Sequence, residues 1–368
     1  MIEPFETGES CTVERVELGA ATTAVDESPR LSEHTTLRVG GPAKRFVVAR
    51  SEAELVDTVR DLDAAGEPVL VLSGGSNLLV GDDGFDGTVV RVATTGIHAD
   101  VSSCGGALVR VAAGENWDAF VAQAIEQEWI GIETLSGIPG LVGSTPIQNV
   151  GAYGSDVAGC IASVRTLDRT TGQFHTFPLV DCGFGYRTSV FKREPHRYVV
   201  LEVSFQFELG TLSAPIRYAE LARQLGCEIG ERVDTRRVRE TVLRIRAGKG
   251  MVLDAADHDT WSAGSFFTNP ILTTDAAAAL PADAPRFPAG DGLVKTSAAW
   301  LIDHSGFGKG YGSGPARLST KHVLAITNRG GACAADVVAL AREVRDGVRD
   351  AFGVELVPEP VFVGASLG

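Results

Sequence analysis

Ser262 to Pro270 reads S-A-G-S-F-F-T-N-P, with Ser265 set between a glycine and two phenylalanines. A covalent serine nucleophile normally sits on a strained elbow of the form G-x-S-x-G, and A-G-S-F-F is not one. The usual serine chemistry is therefore a poor fit, and taken alone Ser265 reads as a loop or strand-end hydroxyl satisfied locally. Other polar residues recur near glycines. Gly74, Gly75, Ser76, Asn77 and Leu78 follow a short apolar run, where successive backbone N–H groups can ring an anion; a plain turn explains the same residues equally well. From Gly131 to Gly154 glycines alternate with Ser144, Thr145, Gln148 and Asn149, a mixture of close-approach backbone and hydrogen-bonding side chains. Tyr186 and Arg187 stand side by side in F-G-Y-R-T-S-V-F-K. Lys249 lies in R-A-G-K-G, in a chain whose other lysines are Lys44, Lys192, Lys295, Lys309 and Lys321. With Asn269 it offers a point charge and an amide donor on either side of Ser265, a pair suited to a diphosphate. Glu359 is fixed between two prolines in V-E-L-V-P-E-P-V-F-V-G.

The elements that must position these residues are partly legible. Ser51 and Glu54 form a capping box ahead of apolar positions 55, 56, 59 and 62, and Gly66 stops that helix. The run V-L-V-L after Pro68 predicts a short buried strand leading directly into S-G-G-S-N. Trp117, Phe120, Val121, Ala124 and Ile125 share one helical face. The 131–154 run holds too much glycine and proline for a helix or central strand and predicts an extended loop system. S-V-R-T-L-D, F-H-T-F-P and Y-V-V-L-E-V-S-F-Q-F-E alternate as half-exposed antiparallel strands. A charged helical segment leads to Lys249 and joins two domains. Helices follow at A-A-W-L-I-D-H-S-G and at 334–353, where Val337, Val338, Ala341, Val344 and Val348 form a core stripe. The glycine-rich 304–314 segment predicts a flexible connector or lid.

The 368 residues suit two or three domains. A net charge of −14 argues against nucleic acid or an anionic membrane as partner, because both demand a positive field. No run of eighteen apolar residues and no basic, apolar leader occurs, which predicts a cytoplasmic protein. The six cysteines are widely spread, without C-x-x-C, and the histidines lack metal-ligand spacing. The pattern predicts a reducing compartment, no disulfide framework and no metal. Residues 1–30 are acidic and without period, and predict an extension that is mobile or loosely docked.

Taken in order, S-G-G-S-N, S-G-I-P-G-L-V-G…P-I-Q-N-V-G-A-Y-G, G-Y-R-T-S-V-F-K, A-G-S-F-F-T-N-P and the terminal P-E-P-V-F-V-G resemble the UDP-N-acetylenolpyruvoylglucosamine reductases, FAD enzymes of peptidoglycan precursor synthesis. The resemblance spans about residues 31–364; Tyr218 in A-P-I-R-Y-A-E-L and P-I-Q-N point to the longer subgroup. It implies an α+β chain: an FAD-binding domain of the vanillyl-alcohol-oxidase type, made of two half-domains, then a smaller α+β substrate-binding domain. The first half-domain would be residues 31–95 with 357–368, the second 96–240 and the substrate domain 245–356. The family fold also explains the missing Rossmann fingerprint.

By the same resemblance, non-covalent FAD is held by Gly74, Gly75, Ser76, Asn77 and Leu78 from one element. Gly140, Gly143, Ser144, Thr145, Asn149, Ala152 and Gly154 contribute from the other. NADPH is the co-substrate, and the enolpyruvyl UDP-sugar follows it into the same site. Hydride goes to the substrate's methylene carbon, so the carbon beside the carboxylate must be protonated. Arg187 matches the residue that grips the carboxylate, Glu359 its partner as a neutral acid, and Ser265 the proton donor. Tyr186, Tyr218, Lys249 and Asn269 match substrate-binding positions, the last three at the UDP diphosphate. The terminal motif departs from the family in placing Pro360 between Glu359 and Val361, which leaves Glu355 as a rival carboxylate. The expected partners are small molecules alone, with the chain acting as a monomer. Two alternatives stay open: an FAD-dependent oxidase of the same flavin fold acting on an alcohol or sugar, and a non-catalytic nucleotide-binding module.

Overall fold

The computed structural model describes residues 12–19 and 27–368. The chain divides into two compact units. Unit 1 comprises Val48–Gly66 and Val90–Leu243, together with the described residues among the first 25; unit 2 comprises the described residues after these up to Val47, Glu67–Val89 and Arg244–Gly368. Unit 2 holds most of residues 31–95 together with 245–368, and unit 1 holds residues 96–240. The boundary at 243/244 falls within the helix that leads to Lys249.

Unit 1 is built on a seven-stranded antiparallel sheet. Its strands are β1 (Glu14–Leu18), β6 (Ile97–Ser102), β7 (Gly106–Ala112), β8 (Trp129–Ile130), β11 (Ile161–Asp168), β12 (Gln173–Pro178) and β13 (Tyr198–Leu209), in the order β1-β6-β7-β13-β11-β12 with β8 also on β13. Alternation along β13 buries Val203, Phe205 and Phe207. Against them packs α2 (Trp117–Glu126), whose expected apolar face is buried; Phe120 and Phe205 lie 5.3 Å apart, and Trp117 and Phe205 6.2 Å. Asn116 caps α2 through the Ala119 N–H. In α1 (Glu52–Ala64) the Ser51–Glu54 capping box is closed and Leu55, Val56, Val59 and Leu62 are buried. Three shorter helical segments complete the unit: α3 (Val190–Arg193), α4 (Ala219–Leu225) and the opening turns of α5 (Thr235–Gly248). The described portion of the N-terminal extension is not loose, because β1 pairs antiparallel with β6 from Glu14–Val101 to Leu18–Ile97. An edge strand is held by its backbone, so its mostly exposed side chains carry little sequence signal. Cys104 is disulfide-bonded, against the expectation from cysteine spacing, while Cys160, Cys182, Cys227 and Cys333 are free. Spacing along the chain does not report proximity in space.

Unit 2 carries a sheet of order β2-β5-β3, with β2 (Ala43–Ala49), β5 (Phe85–Val92) and β3 (Val69–Leu72); β2 and β5 run on past the unit boundary. Here β4 (Leu78–Val80) pairs parallel with β19 (Val361–Val363). Short antiparallel groups join β14 (Ile271–Leu272), β15 (Arg286–Pro288) and β16 (Val294–Thr296), and β17 (Ala316–Leu318) with β18 (Ile326–Asn328). The large buried cluster of this unit gathers Phe266, Phe267, residues of α7 (Ala298–His304) and the expected stripe of α8 (Ala334–Phe352). A short α6 (Thr274–Ala278) precedes β15. The 304–314 segment is pinned to this core: Phe307 is buried in it, and the Tyr311 hydroxyl donates to Glu343 at 2.6 Å. Its glycine density sets a tight path, not a free lid. Among the described residues no helix is long and apolar enough to cross a membrane.

The N-terminus of α8 is capped from far away in sequence. Asp82 Oδ1 accepts from the Ala334 N–H at 2.7 Å and Oδ2 from the Ala335 N–H at 3.0 Å. A carboxylate there satisfies two otherwise unpaired donors and complements the positive end of the helix dipole. Asp82→Ala should therefore lower unfolding stability by about 1–2 kcal/mol, read by urea titration, while Asp83→Ala should cost about 0.5 kcal/mol or less.

Candidate active site

In unit 2 three loops are tied together by backbone. Because β4 and β19 run parallel, the S-G-G-S-N turn and the P-E-P loop approach them from the same end. The Val361 N–H donates to Asn77 O at 2.9 Å, and Asn77 Nδ2 donates to Glu359 O at 3.2 Å. On its other side the Glu359 N–H donates to Phe266 O at 2.8 Å, and Phe267 bridges antiparallel to Pro358. Phe266 and Phe267 are fully buried and T-stacked 5.2 Å apart, so they anchor the segment that carries Ser265. Ser265 is half-buried, and among the described residues its hydroxyl has no hydrogen-bond partner. Glu359 is likewise half-buried, whereas Glu355 is exposed and lies before the P-E-P loop.

Thr36, which composition and pattern did not single out, cross-links this assembly. Its N–H donates to Gly75 O at 3.1 Å and its Oγ1 to Ser262 O at 2.7 Å. Gly75 has φ +60°, and a Cβ there would collide with the carbonyl oxygen of His34. Only glycine fits that turn. The one available sequence signal was the pair Thr35-Thr36 ahead of Gly40-Gly41. Ser73 Oγ, just before the turn, is buried without a partner. An orphaned hydroxyl beside a glycine cradle suits a bound group that brings acceptors.

Lys249 follows α5, its N–H shared between Ile245 O and Arg246 O. The next residue, Gly250, has φ +67° and abuts Asp259, six residues before Ser265. Burial disfavours charge on Asp259, but hydrogen bonds from the Thr320 hydroxyl and N–H, together with Arg329 Nη1 at 2.8 Å, outweigh it and hold the carboxyl below its usual range. Asn269 Oδ1 accepts from the Ala298 N–H at 3.0 Å and so fixes the start of α7.

In unit 1 the glycine-rich run folds back on the strand end at Ala113. The Gly143 N–H donates to Ala113 O at 2.9 Å, and a Cβ on Gly143 would lie only 2.5 Å from that of Ala113. Gly140 O accepts from the Trp117 N–H. Ser144 and Thr145 donate their hydroxyl protons to Leu141 O and Val142 O, which leaves backbone and oxygen lone pairs to offer a ligand. Asn149 acts as a clamp, its Nδ2 donating to Gly185 O at 3.2 Å and its Oδ1 accepting from the Ala158 N–H at 3.1 Å.

That clamp brings in Arg187. Gly185 and Thr188 bond each other across a turn with Tyr186 and Arg187 at its tip. Arg187 Nη2 donates to Gly151 O at 2.8 Å and Nη1 to Asn149 O at 3.4 Å. Beyond Gly151, β9 (Gly151–Ala152) and β10 (Ser155–Asp156) form a small ribbon with Tyr153 and Gly154 at its turn. Tyr153 meets Tyr218 edge-on at 5.6 Å. Asn149, Tyr153 and Arg187 all have φ near +50°, each costing about 1–3 kcal/mol in a non-glycine residue. Strain concentrated in one loop system marks a place where geometry matters more than stability. Unit 1 thus gathers Gly140 to Gly154 with Tyr186, Arg187 and Tyr218; unit 2 gathers Gly74 to Leu78, Ser265 and Glu359, with Lys249 and Asn269 on adjoining segments. Among the described residues no group of three or more His, Cys, Asp or Glu is placed to hold a metal ion.

Residues 256–363 match the C-terminal domain of UDP-N-acetylenolpyruvoylglucosamine reductase, and residues 43–177 match an FAD binding domain. A UDP-N-acetylenolpyruvoylglucosamine reductase of Cutibacterium acnes is 62% identical over 375 aligned positions, covering 100% of this chain and 99% of that protein. One of Streptomyces avermitilis is 57% identical over 348, covering 92% and 94%. The crystal structure of the enzyme from Thermus caldophilus aligns with a TM-score of 0.62 and 27% identity, over 96% of this chain and 99% of that one.

The depressed Asp259 carboxyl has a pH consequence. A folded value below the unfolded one stabilises the protein above the unfolded value of 3.8, and that stability is lost as pH falls through the folded value. Unfolding free energy measured from pH 6 to pH 3 should therefore drop steeply at the acid end. In Asp259→Asn it should be lower at pH 6, with a shallower drop.

Proposed function

The chain belongs to the UDP-N-acetylenolpyruvoylglucosamine reductases, and from that premise we propose how its residues divide the work. It is an FAD-dependent oxidoreductase that reduces the enolpyruvyl group of UDP-N-acetylglucosamine enolpyruvate, with NADPH as reductant, in peptidoglycan precursor synthesis. The oxidase alternative is not favoured, since the relatives matched along the whole chain are reductases. The α+β chain carries the vanillyl-alcohol-oxidase-type flavin domain and the reductases' C-terminal domain.

FAD, when bound, supplies the hydride. Gly74 to Leu78 would hold it, together with Gly140, Gly143, Ser144, Thr145, Asn149, Ala152 and Gly154. The Gly75 cradle and the orphaned Ser73 hydroxyl support this assignment. Arg187 orients the substrate carboxylate: a planar guanidinium grips it in two places and stabilises charge that grows there during reduction. Glu359, as a neutral acid, donates a hydrogen bond to the developing enolate. Ser265 gives its proton to the carbon beside the carboxylate. Serine is a poor acid against water but a sufficient one against a strongly basic carbon in a closed site. Tyr186 borders the site, and Tyr218, Lys249 and Asn269 bind the UDP diphosphate.

The observation that supports the pairing of Ser265 with Glu359 is the Glu359 N–H bond to Phe266 O, which ties their two backbone segments side by side; among the described residues Glu355 has no such backbone tie. We also take the enzyme to be cytoplasmic and active as a single chain, without nucleic acid or membrane as partner. Its net charge of −14 supports this, and one chain supplies every residue named.

Stopped-flow absorbance of the flavin band separates the two half-reactions. Ser265→Ala should bleach with NADPH at the parent rate and then deliver reduced product at least 10³-fold more slowly, a loss of about 4 kcal/mol of transition-state stabilisation. Equal turnover in variant and parent would make the serine structural. Glu359→Gln should slow the second half-reaction at least tenfold, with Glu355→Gln within twofold of the parent; the reverse order would move the acid to Glu355.

A further inference from the structure

Arg91 is the penultimate residue of β5, on the same face of that strand as buried Val89. Its Nε and Nη1 are buried, and neither has a hydrogen-bond partner. Nη2 is therefore the accessible corner of the guanidinium. Burial pushes its pKa down to about 10, and no neighbouring carboxylate contributes to offset that. Arginine is otherwise well served here: Arg165, Arg169, Arg197, Arg239 and Arg329 each meet a carboxylate within 3.0 Å. A buried cation with no acceptor is strongly unfavourable unless something supplies the missing charge, and a guanidinium's fork geometry matches a phosphate edge.

We propose that Arg91 docks the pyrophosphate of FAD, its accessible Nη2 corner donating to a phosphate oxygen and its charge offsetting that of the diphosphate. The inference rests on the flavoenzyme assignment above. The established activity brings three phosphate-bearing ligands, namely FAD, NADPH and the UDP-sugar. Arg91 falls inside the segment that matches an FAD binding domain, residues 43–177, and outside the 256–363 segment of the reductase C-terminal domain. That location selects the flavin.

The test compares wild-type, Arg91→Met and Arg91→Lys holoenzymes. FAD affinity is read from the recovery of flavin fluorescence on dilution. Melting temperature is measured with and without added FAD after flavin depletion, and the holoenzymes are titrated with UDP and reduced with NADPH and NADH. Arg91→Met should weaken FAD binding at least tenfold and Arg91→Lys by less, with the difference shrinking as salt rises. Flavin-depleted Arg91→Met should melt no lower than flavin-depleted wild type, because its unmet buried charge is gone, while its gain in melting temperature from FAD should be smaller. Unchanged FAD affinity would overturn the proposal, as would an equal loss of stability with and without FAD. Loss of UDP affinity or of the preference for NADPH, with FAD binding intact, would overturn it too and assign Arg91 to that nucleotide. A wild-type protein that bound no flavin would instead sink the flavoenzyme assignment, so the two failures are distinct.

Discussion

The chemistry proposed for Ser265 and Glu359 depends on one short chain of hydrogen bonds, from Val361 to Asn77, from Asn77 to Glu359 and from Glu359 to Phe266. These bonds stitch together segments drawn from residues 73–77, 262–270 and 357–361, and each closes a loop of tens to hundreds of residues. Local preference cannot bring such segments together, so the cost of ordering them is met by burial. Phe266 and Phe267 sit in the same core as α7 and α8, and β4 and β19 hold the register on the other side. The result is a rigid backbone from which two small polar groups, the Ser265 hydroxyl and the Glu359 carboxyl, project. Proton delivery to a carbon needs that rigidity, because efficient transfer tolerates only small misplacement of the donor.

Unit 1 solves a different problem with strain. Arg187 commits some of its guanidinium donors to Gly151 O and Asn149 O, and Asn149 commits its side chain to Gly185 O and the Ala158 N–H. The glycine-rich loop and the arginine turn therefore hold each other in place, with left-handed backbone at Asn149, Tyr153 and Arg187. A long flexible cation becomes a positioned one, and less entropy remains to be lost in the carboxylate grip proposed for it.

Helices with strong periodicity and conventional caps were legible from residues alone. The Ser51–Glu54 box, the α2 face and the α8 stripe follow from the helical period of about 3.6 residues, because packing acts on side chains. The motif-bearing loops were legible as glycine-dense stretches, and their meaning came from the order in which they occur. What stayed hidden was carried by backbone or by distant pairs. β1 pairs along an edge with little burial, Asp82 caps a helix 252 residues away, and Thr36 joins the Gly75 turn to the Ser262 strand. The 304–314 segment reads as a flexible connector or lid because glycine reports freedom in the unfolded chain, whereas Phe307 and Tyr311 remove it in the folded one. Arg91 gave no signal, since an arginine in a strand looks the same whether it is solvated or orphaned.

The central claim is that hydride and proton reach two different carbons of the enolpyruvyl group, the proton from an exchangeable protein hydroxyl. The most direct measurement is mass spectrometry and proton NMR of the product formed by the wild-type holoenzyme with ordinary NADPH in deuterium oxide, the flavin taking its hydride straight from the nucleotide. The account predicts one solvent deuterium on the carbon beside the carboxylate, and at most one in the adjacent methyl group, since hydrogen passed through a flavin N–H exchanges with solvent. Absence of deuterium from the carbon beside the carboxylate would contradict it.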